Sequence, residues 1–355
     1  MRRRTFVGLV LAGPTVALIG LPTVTTAWAR PRPVPPKVTT LPLRGIDRSA
    51  RAALRGPGPS PLLLSSPTET AGFSMVGVTW QPGADVRLDV EVRTRSRGTW
   101  SPWRQVPQQN EHRPDGSEAE RAGLRDGTSP LWVGPSDGVQ VRVASSGSSH
   151  PRDVRVELVD PGSSPADSPP SRPRSSAHAE ARRPPIITRA DWGADESIRK
   201  GSPSYTSTVK VGFVHHTASS NDYTPEQAAA MVRGIYAYHV KSNGWSDIGY
   251  NFLVDRYGRA YEGRAGGMER FVLGAHTGGF NVNSFGVALL GDFTSVAPSS
   301  SSIGTLAQVL AWKLGTAYRD PRGTAVLTSA GGGTSKYSSG TKATFEVVSG
   351  HRDAG

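Results

Sequence analysis

The sequence predicts an α/β fold, a mixed β-sheet flanked by helices over residues 186–355, preceded by a β-sandwich-like domain over 62–160. Two kinds of periodicity carry this. The first block alternates apolar and polar residues, whereas the second interleaves short apolar strands with helix-spaced runs. Stretches rich in Pro, Arg and Ser at 30–61 and 161–185 read as linkers and set the domain limits.

In the first block, Phe73–Trp80, Val86–Arg93, Val139–Val143 and Val154–Leu158 have the period-2 pattern of strands with one wet face. Gln81-Pro82-Gly83 and Gly134-Pro135-Ser136-Asp137-Gly138 read as turns between them. Trp100 and Trp103 suit packing at a strand end, with sugar stacking as the alternative. No cluster of titratable residues stands out here, so a binding or spacer role is expected and no catalysis is assigned.

In the second block, Val209–His215 is expected to be a strand. Thr224-Pro225-Glu226-Gln227 offers a cap, a proline and a capping-box Gln for a helix running to about Lys241. Met231, Val232, Ile235 and Tyr238 follow at helical spacing and should face a core. Tyr250–Val254 and Ala260–Glu262 form a hairpin around Arg256-Tyr257-Gly258, and Phe285–Leu290 is another strand. A second helix covers about Ile303–Tyr318, and Phe345–Ser349 is a last strand leading into His351.

Composition narrows the setting. Arg2, Arg3 and Arg4, the apolar run Phe6–Leu21 and the small residues Ala27 and Ala29 read as an export signal over 1–29, with Arg3-Arg4 loosely fitting the twin-arginine type. No later run reaches the roughly 20 apolar residues of a membrane span. There is no cysteine, which excludes disulfides and thiolate chemistry. The net charge of +12 is concentrated at the start: ten of the 41 Lys and Arg and one of the 29 acids fall within residues 1–60, leaving +3 for the other 295. That distribution reads as a solvated basic tail and argues against a nucleic-acid binder.

His215 and His351 each follow an apolar strand, so both can project at one rim of the sheet, where sites form in open α/β folds. Between them lie Trp245-Ser246-Asp247-Ile248-Gly249-Tyr250-Asn251-Phe252, then Tyr261-Glu262-Gly263-Arg264, then Gly274-Ala275-His276-Thr277-Gly278-Gly279-Phe280-Asn281. Asp247 reads as a turn residue, and His216, on the opposite strand face from His215, as a supporting one.

In this order the motifs resemble the zinc-dependent N-acetylmuramoyl-L-alanine amidases of the peptidoglycan recognition protein family, over roughly 186–355. Phe73–Trp80, Trp100–Trp103 and Trp132-Val133-Gly134 resemble the β-domain that precedes such amidases in secreted actinobacterial proteins. The resemblance implies Zn2+ held by His215 and His351, Tyr250 as the catalytic tyrosine, and His276, Asn281 and Arg264 as contacts to a muramyl-peptide stem. It implies a third zinc ligand about eight positions past His351, beyond Gly355, and hence a C-terminally incomplete amidase domain. The partner implied is peptidoglycan, met outside the cell or at its wall. The alternative is a recognition protein that binds muropeptides without cutting them. The longer, Gly-rich Arg264–Leu273 leaves selectivity between diaminopimelate and lysine stems open.

Overall fold

The computed structural model describes residues 33–53, 60–83, 86–109, 112–119, 123–168, 183–332 and 335–355. The export signal expected over 1–29 and residues 169–182 of the second expected linker lie outside these.

The first half is built from β1 (Lys37–Pro42), β2 (Leu63–Leu64), β3 (Thr68–Trp80), β4 (Leu88–Ser96), β5 (Thr99–Trp100), β6 (Arg104–Val106), β7 (Asp126–Gly127), β8 (Leu131–Ser145) and β9 (Arg155–Asp160). The pairings between these strands are antiparallel, along a main path β1-β9-β3-β8-β4-β5, with β2 on β8, β6 on β4 and β7 on β3. Alternation sends Val76, Val78 and Trp80 of β3, with Val90, Val141 and Val156, into one core. The opposite face of β3 and β9 carries Met75 and Val159, both wholly buried, in a different cluster.

Two expectations change here. The run Gly134–Gly138 is no turn but part of the 15-residue β8. Gly134 takes φ +70°, and the β3–β8 register shifts on both sides of Phe73, so the turn-like composition marks a bulge. The basic stretch 30–61 is likewise no free tail over its described part. Val38, Thr40 and Pro42 of β1 pair with Val159, Glu157 and Arg155 of β9, the Thr40 hydroxyl donates to the Glu157 carboxylate at 2.7 Å, and Leu43 is buried.

The second half holds β10 (Ile186–Ile187), β11 (Val211–His216), β12 (Phe252–Val254), β13 (Ala260–Glu262), β14 (Ser284–Leu289), β15 (Thr324–Thr328), β16 (Lys342–Glu346) and β17 (Val348–Gly350). Six make a mixed sheet in the order β10-β13-β12-β14-β11-β17, with β12 and β13 antiparallel and the other neighbours parallel. The last expected strand is divided at Val347: β16 pairs with β15 as a separate hairpin, and β17 runs parallel to β11.

Helix Ser300–Thr316, capped by the Ser299 hydroxyl accepting from Ser302 N–H, covers one sheet face with Leu306, Val309 and Leu310 against Phe285, Val287 and Leu289. Helix Gln227–Ala237, continued by a π-helical turn over Tyr238–Ser242, covers the other. Gln227 fulfils half of the expected capping box, its side-chain oxygen accepting from Thr224 N–H at 2.9 Å.

This second face is shared. Met75, Trp132 and Val159 of the first half pack in one cluster with Met231, Ile235 and Tyr238 of the helix. A Cβ on Gly77 would lie 2.5 Å from the Tyr238 ring, so β3 needs a glycine where that tyrosine crosses it. The Tyr238 hydroxyl donates to Thr128 O at 3.0 Å, Trp132 N–H donates to Ser219 Oγ at 2.8 Å, and Arg233 pairs with Asp167 of the short 3-10 helix Pro165–Asp167.

Candidate metal centre and groove

Strand register explains how two histidines so far apart in sequence meet. Val214 of β11 is the partner of Gly350 of β17, so His351, which follows, arrives beside His215. Alternation along β11 puts Val211 and Phe213 on the His215 side, against Phe345, and turns Val214 towards the helix Ser300–Thr316. His216 therefore points away, its Nδ1 accepting from Phe293 N–H at 3.0 Å, with Asp292 at 3.4 Å.

A third histidine completes the cluster, and it comes from the first half. His112 Nε2 stands 3.1 Å from His215 Nδ1, and its ring stacks on His351 with centroids 4.5 Å apart. One ligand atom from each of His112, His215 and His351 lies within 4.8 Å of the others, and all three residues are buried. Tetrahedral zinc with Zn–N bonds of about 2.0–2.1 Å spaces its nitrogens about 3.3 Å apart, close to the His112–His215 separation. Burial first, and then the neighbouring histidines, hold His112 and His215 well below the usual histidine pKa, so both are neutral and able to ligate. The donor set fits a metal ion.

The other predicted residues surround this centre. Tyr250 is buried, its ring 5.7 Å from that of His215 and 5.3 Å from His112, and burial raises its phenol above the ordinary pKa. His276 is fully buried and packs edge-on against His215 at 5.2 Å. It sits between Gly274 and Gly286, where a Cβ would approach the ring to 2.3 and 2.4 Å. The Gly274 signal therefore reflects close approach rather than the positive φ that Gly279 adopts. Asn281 staples its own loop, its Oδ1 accepting from His276 and Thr277 N–H at 2.8 and 2.9 Å. Arg264 is buried among Ser246 and Glu118. Asp247 is a buried anchor, bound to Arg189 at 3.1 Å and to Ala265 N–H at 2.9 Å.

The β-domain, to which the sequence assigns no catalysis, places His112 in the histidine cluster and Asp115 and Glu118 against residues of the second half. Asp115 accepts from Gly279 N–H at 2.8 Å and Asn281 N–H at 3.0 Å. Glu118 meets Arg264 Nη2 at 2.6 Å and accepts from Ser246 N–H at 2.9 Å. Burial would raise the Glu118 pKa, but the Arg264 charge and the hydrogen bonds from Ser246 and Arg264 outweigh it and keep it low. No pattern in the sequence marks these residues, which fall between β6 and β7 without strand or helix periodicity.

Comparison with known proteins follows the same division. Residues 31–177 match the family described as Rv3811 N-terminal galactose-binding domain-like, and 205–354 match N-acetylmuramoyl-L-alanine amidase. Peptidoglycan recognition protein 1 of Bos indicus is 34% identical over 137 residues, 38% of this chain and 69% of that protein. The chain belongs to the peptidoglycan recognition protein family. Peptidoglycan-recognition protein SC2 of Drosophila simulans is 35% identical over 118 residues, 33% of this chain and 61% of its own length. The human N-acetylmuramoyl-L-alanine amidase is 37% identical over 133 residues, 36% of this chain and 22% of that protein. This member of the family thus spans about three fifths of the fly relative's length. It carries in addition the β-domain that delivers His112.

Proposed function

We propose that the chain is a zinc-dependent amidase that hydrolyses the bond between N-acetylmuramic acid and L-alanine in peptidoglycan. The single observation that carries this is the buried cluster of His112, His215 and His351 with Tyr250 beside it, in a chain of this family. The three histidines would hold the ion. When bound, zinc supplies a water acidified to a pKa of about 7 and a polarised carbonyl, which an unactivated amide requires at neutral pH.

The remaining work falls to the protein. Tyr250, kept protonated by burial, can donate its hydroxyl proton in a hydrogen bond to the scissile oxygen as negative charge develops there. His276, fully buried and edge-on to His215, packs against that ring and helps fix its orientation. The wall polymer and the N-terminal basic-apolar segment together support action outside the cytoplasm.

The test measures zinc content and release of free stem peptide from purified peptidoglycan by the full chain. Wild type should hold one zinc and release peptide, and His215→Ala should lose both. Tyr250→Phe should keep the zinc while slowing release on the order of 100-fold. Zinc without peptide release in wild type, under conditions where muropeptide binds, would overturn the catalytic reading in favour of recognition alone.

A further inference from the structure

The segment that brings His112 to the metal centre continues into the groove. Asn281 Nδ2 donates to Arg113 O at 2.9 Å, the Asp115 carboxylate is gripped by two backbone N–H groups, and Glu118 spans Ser246 and Arg264. Each partner is a residue of the amidase half, and Asn281 and Arg264 are those from which contacts to the muramyl peptide are expected. Arg264 is only 7% exposed, and its Nη1 lacks a hydrogen-bond partner among the described residues. Beside the arm the open cavity measures about 190 Å³, lined by Glu118, Lys200, Ser204, Asp247, Arg264 and Val282. Asp115, Gly116 and Glu118 of the arm form part of its lining, so the arm limits the space open to a ligand there.

We propose that residues 115–119 are an internal occupant of the groove, whose two carboxylates hold the places that a carboxylate-bearing muramyl peptide takes on binding. The arm leaves as ligand enters, while His112 remains at the metal centre. This rests on the muropeptide reading of the groove. The division between arm and His112 follows from what holds each. Asp115 and Glu118 are held by charge and hydrogen bonds that a competing carboxylate can replace. His112 is buried in the histidine cluster, and nearby Gln109 is itself fixed by His239 and Asn243 at 3.1 Å each.

The experiment uses the full chain loaded with zinc and a soluble muramyl tripeptide analogue that bears a free glutamyl carboxylate and an uncleavable linkage in place of the muramyl–alanine amide. Asp115→Asn with Glu118→Gln should bind it at least tenfold more tightly than wild type, at unchanged zinc stoichiometry. Because the chain has no cysteine, Ala119→Cys offers a single labelling site. A fluorophore there should lose anisotropy as the tripeptide saturates. Equal, measurable affinity in wild type and the double variant, or constant anisotropy at saturation, would overturn the internal-occupant proposal and leave the groove reading intact. Absence of tripeptide binding in both proteins would instead overturn the groove reading, and the proposal with it. Loss of zinc in the double variant would refute the separation of His112 from the arm.

Discussion

The two faces of the six-stranded sheet are both buried, but in different company. Helix Ser300–Thr316 and the strands beneath it form a core made wholly of the second half. The opposite core mixes Met75, Trp132 and Val159 of the β-domain with helix Gln227–Ala237 and Tyr250. The candidate metal centre belongs to the shared side: His215 projects there, and His112 of the β-domain joins it. A face closed by another domain can present side chains that a self-contained face cannot, because the covering layer carries its own polar groups into the site. Here that layer supplies an imidazole and two carboxylates.

The largest effects should come from the two cores themselves. Met75→Ala and Leu310→Ala each remove a buried side chain and should cost about 2–5 kcal/mol of stability. They should differ in what else they disturb. Met75→Ala should loosen both halves, lowering one cooperative calorimetric transition and weakening zinc retention, whereas Leu310→Ala should leave the His112–His215–His351 cluster able to hold metal after refolding. Two well-separated transitions in wild type, with Met75→Ala moving only one, would break the claim that the face is shared.

A smaller, pH-dependent effect tests the polar part of the same face. His239 accepts from Gly249 N–H at 3.2 Å through Nδ1 and meets Gln109 through Nε2 at 3.1 Å. Burial, with the Arg264 charge adding to it, pushes its pKa down to about 3. The folded state therefore keeps this ring neutral while the unfolded chain, with an ordinary value near 6.5, takes up a proton as pH falls. Stability from this residue is fully present above about pH 6.5 and declines by about 1.4 kcal/mol per pH unit below it, levelling off only near the folded value. In urea titrations between pH 7 and 5 the wild-type midpoint should fall more steeply than that of His239→Gln. Parallel pH profiles would show that the ring is not held neutral against the β-domain.

What could be read from sequence divides along the same line. Strand alternation, the Thr224–Gln227 cap and the glycine-rich His276 loop are local signals, and local physics places them. His215 and His351 were readable because each ends an apolar strand, and parallel register joins them. His112 was not, since nothing within residues 107–125 says which surface that segment meets. Gly77 and Gly286 illustrate the limit: each is a glycine because a ring from a distant residue crosses it, and only the fold shows which ring. The basic start of the chain misled for the opposite reason, its composition suggesting a solvated tail while Val38 and Leu41 alternate towards the interior.

That last correction yields the smallest predicted effect. Lys241, at the end of the shared-face helix, donates from Nζ to Pro36 O at 2.8 Å, just before β1 begins. The contact ties the basic segment to the second half as well as to β9. Because it lies at the surface, Lys241→Met should cost about 1 kcal/mol or less. Amide exchange gives a sharper reading than global stability, since protection within β1 depends on local opening. In Lys241→Met the amides of Val38–Leu41 should exchange a few times faster while those of β12 and β14 stay unchanged. If β1 protection is unaltered, the pairing with β9 alone holds the segment, and the shared face ends at the Tyr238 crossing rather than reaching the chain's basic start.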